Sequence, residues 1–108
     1  MADLAVTDST FQESVHESKG LVMVDFWAAW CMPCLMLGPI IEEIAHEKKD
    51  VVKVMKLNVD ENPETSMKYQ VMSIPTVILF KDGKPVQTFI GVQPKAVYER
   101  ALEVHAGK

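Results

Sequence analysis

Two rhythms of apolar and polar positions run along the chain. The densest apolar run is Leu21-Val22-Met23-Val24-Asp25-Phe26-Trp27. It is apolar at odd and even positions alike, which predicts a central strand covered on both faces. Asp25 is its single exception. Val51 to Val59 and Val77-Ile78-Leu79-Phe80 predict two more strands, both rich in β-branched residues. Lys81-Asp82-Gly83-Lys84 then turns the chain into Val86 to Ile90, the second arm of an antiparallel hairpin. Leu4-Ala5-Val6 is short and predicts an edge strand.

The other rhythm is helical. Leu37, Ile40, Ile41, Ile44 and Ala45 recur at helical spacing, and Glu42, Glu43, Glu47 and Lys48 supply the solvated face. Pro39 lies inside this helix and predicts a kink. Phe11 and Val15 share one face of a shorter helix that runs to about Ser18. Thr10 with Glu13, and Ser9 with Gln12, fit a capping box at its start, and Gly20 ends it. Asn62-Pro63-Glu64 opens a short helix ending near Gln70, with Pro at the first helical position. Pro94 opens the last helix, with Val97, Ala101 and Val104 as its apolar stripe. The order β-α-β-α-β-α-β-β-α predicts an α/β fold: a mixed sheet with helices on both faces and a right-handed crossover.

Composition narrows the function. At 108 residues the chain suits one domain, 1–108. Its 48% hydrophobic content is enough for a core, and a net charge of −4 argues against nucleic acid as a partner. No apolar run approaches the roughly 20 residues of a membrane span. Met1-Ala2-Asp3-Leu4 lacks the basic start and apolar stretch of a signal peptide. A cytoplasmic protein without membrane attachment is the expectation, and a monomer is the default.

Both cysteines fall in Trp30-Cys31-Met32-Pro33-Cys34, at the start of the long helix. Residues three apart on a helix have Cβ atoms about 5–6 Å apart, close to what a disulfide needs. The two thiols can therefore pair without large backbone movement. A loop this short contributes roughly 2 kcal/mol to stability by chain entropy, against about 5–15 kcal/mol for a typical domain. Such a bond suits a switch better than a staple, and cytosolic Cys pairs are seldom structural. Cys31 sits where a helix N-terminus stabilises a thiolate, which makes it the attacking thiol. Cys34, one turn deeper, is the resolving thiol. Pro33 fixes the first turn and gives up an N–H that has no helical partner.

Other readings of the pair are weaker. Zinc takes four Cys or His ligands, and His16, His46 and His105 are scattered, so no metal is expected. Haem attachment needs His after the second Cys, where Leu35 stands. A bare C-x-x-C would leave two inert thiols open. Asp25 tilts the balance, because a carboxylate in a doubly covered strand is costly without a role or partner. Burial raises its pKa and suits it to take the Cys34 proton. Lys56 shares a strand face with Val52 and Val54, so it can neighbour Asp25; a snorkelling surface lysine fits the same pattern. Ile74-Pro75 is expected trans, since only about 5–6% of X–Pro bonds in folded proteins are cis.

Trp27, Trp30-Cys31-x-Pro33-Cys34, Pro39, Lys56-Leu57-Asn58-Val59-Asp60, Ile74-Pro75-Thr76 and Gly91, in that order, resemble the thioredoxin family. The resemblance covers nearly the whole chain. It implies a thioredoxin fold, with a five-stranded mixed sheet of order 1-3-2-4-5 flanked by four helices. It implies a protein-disulfide reductase with Cys31 as exposed nucleophile, Cys34 as resolving thiol, Asp25 as buried acid–base group and Lys56 tuning it. It further implies a cis Pro75 facing the disulfide. Ile74 backbone groups would pair with an extended client segment. Trp30, Ile74, Gly91 and Val92 would form the docking surface, to which Met32 adds a flexible apolar side chain beside the nucleophile. The implied partners are disulfide-containing clients and thioredoxin reductase; NADPH belongs to that reductase, and this chain would hold no cofactor. Two positions depart from the family pattern: Met32 stands where Gly is usual, and Leu35 where a basic residue is usual. Inner residues of this kind shift the potential of related oxidoreductases. A disulfide oxidase or isomerase, or a redox-inert binding module, are therefore the competing functions.

Overall fold

The computed structural model describes residues 4–106. Its centre is strand β1, Leu21–Trp27, buried along nearly its whole length. Strand β2, Val52–Asn58, pairs with it in parallel, and β3, Thr76–Lys81, pairs antiparallel on its other side. The hairpin partner of β3 is β4, Lys84–Ile90, so the sheet order is β2-β1-β3-β4. Pro85 is tolerated because β4 is an edge strand and need not donate every N–H.

Four strands form the sheet where five were expected. Leu4-Ala5-Val6 does reach the outer side of β2, with Lys56 N–H donating to the Leu4 carbonyl and Val6 N–H to the Lys56 carbonyl. It makes only an isolated parallel bridge, Ala5 to Lys56. The segment cannot extend, because Thr7 to Thr10 turn the chain away at once. Thr7 N–H donates to Thr10 Oγ1, and Thr10 N–H to the Thr7 carbonyl.

The same turn removes the expected capping boxes. Thr10 is occupied by Thr7, and the helix that follows is a single π-helical turn, Gln12–His16, with no side-chain cap. Helix α1, Met32–Glu47, continues through Pro39. Helix α2, Pro63–Lys68, is short, and α3 spans Lys95–Ala106. The buried stripe of α3 is Tyr98, Ala101 and Leu102; Val97 and Val104, expected inside, are exposed. The bulkier Tyr98 and Leu102, four apart, take the inner face.

Alternation along β1 divides the core. Leu21 and Met23 face α1 and α3, packing with Leu37, Ile41, Ile44, Tyr98 and Leu102. Val22, Val24 and Phe26 face the other way, toward Phe11, Val15, Leu57 and Phe80. Asp25 falls on the α1–α3 side.

Candidate active site

The Cys pair lies just past the carboxyl end of β1, where open α/β sheets place their sites. Ala28 and Ala29 carry the chain from the strand, and Cys31 becomes the N-cap of α1. Its extended backbone, φ −94° and ψ 107°, turns Sγ back over the first helical turn, where it accepts from the Cys34 N–H at 3.2 Å. Cys31 and Cys34 are joined as a disulfide with Cα atoms 5.2 Å apart. Pro33 occupies the first turn, where its missing N–H donor costs no helical hydrogen bond.

Cys31 is not exposed as expected. It is 4% accessible and Cys34 is 2%, because both pack with Ala28 against Trp27, Val59 and Ile74. Cys31 Sγ lies 3.8 Å from the Ile74 carbonyl oxygen. The Ile74-Pro75 bond is cis, against the trans expectation from X–Pro preference alone. Gly91, at φ +83°, donates its N–H to the Pro75 carbonyl at 2.8 Å. This bond holds the Gly91-Val92 loop beside Ile74-Pro75. Gly91 suits that position because an L side chain rarely adopts such a backbone.

Around this shallow centre stands an apolar rim. Trp30 is 69% exposed, Met32 67% and Val92 40%; Ile74 is half-buried. Met36, one turn beyond Met32, and Met72, two residues before Ile74, are also exposed. Trp30 is held by its indole N–H, which donates to Asp60 Oδ2 at 2.8 Å. Asp60 is in turn fixed through its N–H to Asn58 Oδ1. Sequence reasoning missed both anchors in this role, although Asp60 closes the Lys56–Asp60 run. A concavity of about 380 Å³ at the opposite end of the sheet is lined by His16, Lys19 and Asp82.

Asp25 lies near the carboxyl end of β1, on the sheet face that α1 and α3 cover. Its side chain is fully buried, and neither carboxyl oxygen has a hydrogen-bond partner among the described residues. Burial pushes its pKa up to about 7, with the Lys56 charge pulling weakly the other way. Lys56 is its direct register partner on β2. The Lys56 ammonium lies over the Trp27 ring at 4.9 Å from the centroid, and a Cβ at Gly38 would stand 3.7 Å from it. The two side chains share a sheet face without forming an ion pair among those described. Together these groups provide a helix-capped sulfur, a second sulfur one turn inward, and a buried carboxyl that can hold a proton near neutral pH. Among the described residues, no group of three or more His, Cys, Asp or Glu side chains is placed to hold a metal.

The thioredoxin family model matches residues 3–103. Thioredoxin of Alicyclobacillus acidocaldarius is 54% identical over 101 residues, covering 94% of this chain and 95% of that protein. Thioredoxin 1 of Synechococcus elongatus is 50% identical with 94% of each chain covered. Thioredoxin of Staphylococcus haemolyticus is 49% identical over 105 residues, covering 97% and 99%.

Proposed function

This chain belongs to the thioredoxin family and is a thiol–disulfide oxidoreductase, and from that premise we propose that its working direction is the reduction of disulfides in client proteins. The observation that carries Cys31 as the attacking thiol is its sulfur at the α1 N-cap, accepting the Cys34 N–H; the reductase direction rests on the likeness to the thioredoxins. A thiolate there is stabilised by the same N–H and by the helix dipole.

In the reduced protein the Cys31 thiolate attacks one client sulfur. The client S–S bond breaks, its other sulfur leaves as thiolate, and a mixed disulfide joins client to Cys31. Asp25 takes the Cys34 proton, and Lys56 tunes how readily it does so. The Cys34 thiolate then attacks Cys31 Sγ and expels the second client thiolate. Two electrons pass from the Cys pair to the client. Pro33 and Pro75 fix the surroundings of Cys31. Ile74 backbone groups pair with an extended client segment, and Trp30, Met32, Gly91 and Val92 supply the docking face. An exposed apolar face of Trp30, Met32 and Val92 suits a protein client.

The redox group is the disulfide itself. Thioredoxin reductase, drawing on NADPH bound to that enzyme, is the partner that returns the pair to dithiol. A reducing compartment such as the cytoplasm is where this cycle operates. Insulin reduction by dithiothreitol tests the reading: the protein accelerates it, and Cys31→Ser abolishes the acceleration. An inert binding module would show neither effect. A reduction potential well above that of the glutathione couple would replace reductase with oxidase.

A further inference from the structure

Four residues form one row across the sheet: Lys56, Asp25, Val77 and Phe89, each directly opposite the next. The row faces α1 and α3. At its end the Phe89 ring meets the Tyr98 ring of α3, with centroids 5.0 Å apart. Tyr98 is fully buried in this apolar layer, so its hydroxyl is costly to keep there without partners. The hydroxyl oxygen accepts the Gln93 N–H at 3.2 Å. That bond uses a lone pair and leaves the hydroxyl proton to be donated. Among the described residues no acceptor takes it. On the same side of the sheet, both oxygens of Asp25 accept from nothing described. A donor without an acceptor and an acceptor without a donor thus share one buried layer. The two groups also sense each other: burial raises the Tyr98 pKa first, the Gln93 amide opposes it, and the Asp25 charge adds to the rise.

We propose that Tyr98 is a positioning residue for Asp25, its hydroxyl donating to the carboxylate through one bridging water and so tying the buried acid–base group to the Gly91-Val92-Gln93 loop. The inference rests on the reading of Asp25 as the Cys34 base. A bridging water needs two to four polar partners. The Tyr98 hydroxyl and the two Asp25 oxygens supply them. The charged or titratable groups that act on Asp25 are Lys56 from β2 and Tyr98 from α3; the Cys pair heads α1, the other helix on this face. From β3 it meets only the apolar Val77. A hydrogen bond donated to the charged form favours that form. Tyr98 therefore holds the Asp25 midpoint below where burial alone would set it, and it does so from the loop a client touches.

The test is a carbon-13 NMR titration of the Asp25 carboxyl in the reduced protein. In Tyr98→Phe its midpoint should rise by about half a pH unit or more, and the pH profile of insulin reduction should move with it. A folded Tyr98→Phe with an unmoved midpoint overturns the inference; a purely structural tyrosine would lower Tm alone. A second measurement needs no change at Tyr98. The Tyr98 Cζ resonance should titrate with the Asp25 midpoint in the unmodified protein and be flat over that range in Asp25→Asn; a resonance indifferent to Asp25 also overturns the link. If Asp25→Asn leaves the pH profile of insulin reduction intact, the reading of Asp25 fails as well. If that profile is lost while the Tyr98→Phe midpoint is unmoved, only the role of Tyr98 falls.

Discussion

A carboxyl group whose two oxygens are buried and, among the described residues, have no hydrogen-bond partner works against the fold that holds it. Asp25 has an ordinary value of 3.8 in the unfolded chain and about 7 in the folded one, because burial penalises its charge. Below about pH 4 it is protonated in both states and favours neither. As pH rises from there toward 7, the unfolded chain releases the proton first and unfolding gains. Above about 7 the penalty is complete, on the order of 4 kcal/mol by proton linkage. Asp25→Asn should therefore stabilise the protein by about 2–4 kcal/mol at pH 8 and by far less at pH 4, read from urea unfolding at each pH. An equal change at both pH values would show that ionisation is not the cause. Keeping so costly a residue is intelligible if the proton it holds near neutrality is the one Cys34 must lose. Met32 and Leu35 lie on the outer side of the same turn, both exposed. Neither belongs to the two large core clusters.

Asp8 ties two elements together that are far apart in the chain. Its carboxylate accepts from the Thr65 N–H at 2.9 Å, the Thr65 hydroxyl at 2.6 Å and the Glu64 N–H at 3.2 Å, all at the start of α2. Asn62, at the N-cap, makes no cap bond of its own and instead accepts the Asp8 N–H. Burial raises the Asp8 pKa, but the Thr65 and Glu64 bonds outweigh it and hold the carboxyl below its ordinary value. Its contribution is thus present above the unfolded pKa and lost as pH falls through the folded one. Asp8→Ala should cost about 1–2 kcal/mol at pH 7, the ordinary worth of a cap, and the cost should shrink in acid. Urea unfolding of both proteins at pH 7 and below pH 3 checks this. The case also marks what a one-dimensional reading reaches. The β1 strand, the α1 periodicity and the Cys31–Cys34 spacing are local patterns, legible from neighbours a few residues apart. A cap supplied from a segment more than fifty residues earlier leaves no local trace. Likewise Thr10 and Glu13 have capping-box spacing, but Thr7 competes for the Thr10 hydroxyl. The cis state of Pro75 and the Asp60 hold on Trp30 depend on tertiary neighbours in the same way, and only the family resemblance anticipates the first.

At the scale of the molecule, what matters is how little of the fold depends on the bond that reacts. The two large core layers lie on either side of β1 and contain neither sulfur. Cys31 and Cys34 belong to a small separate cluster with Ala28 at the end of the sheet. Helix α1 is anchored below them by Leu37, Ile41 and Ile44, and Lys95 of α3 adds ion pairs to Glu43 and Glu47 of α1 at 2.7 Å each. Opening the disulfide therefore removes a short-loop restraint worth roughly 2 kcal/mol by chain entropy and leaves both layers packed. The dithiol protein should keep the near-ultraviolet circular dichroism of a packed core and unfold in a single urea transition. That transition should lie lower than in the disulfide form by about that amount. A carrier that must be opened and closed in every turnover needs this separation, because each cycle would otherwise wait on refolding. If reduction abolished the near-ultraviolet signal or split the transition, the sulfurs would be part of the scaffold, and a cycle of mixed disulfides on a standing fold could not be sustained.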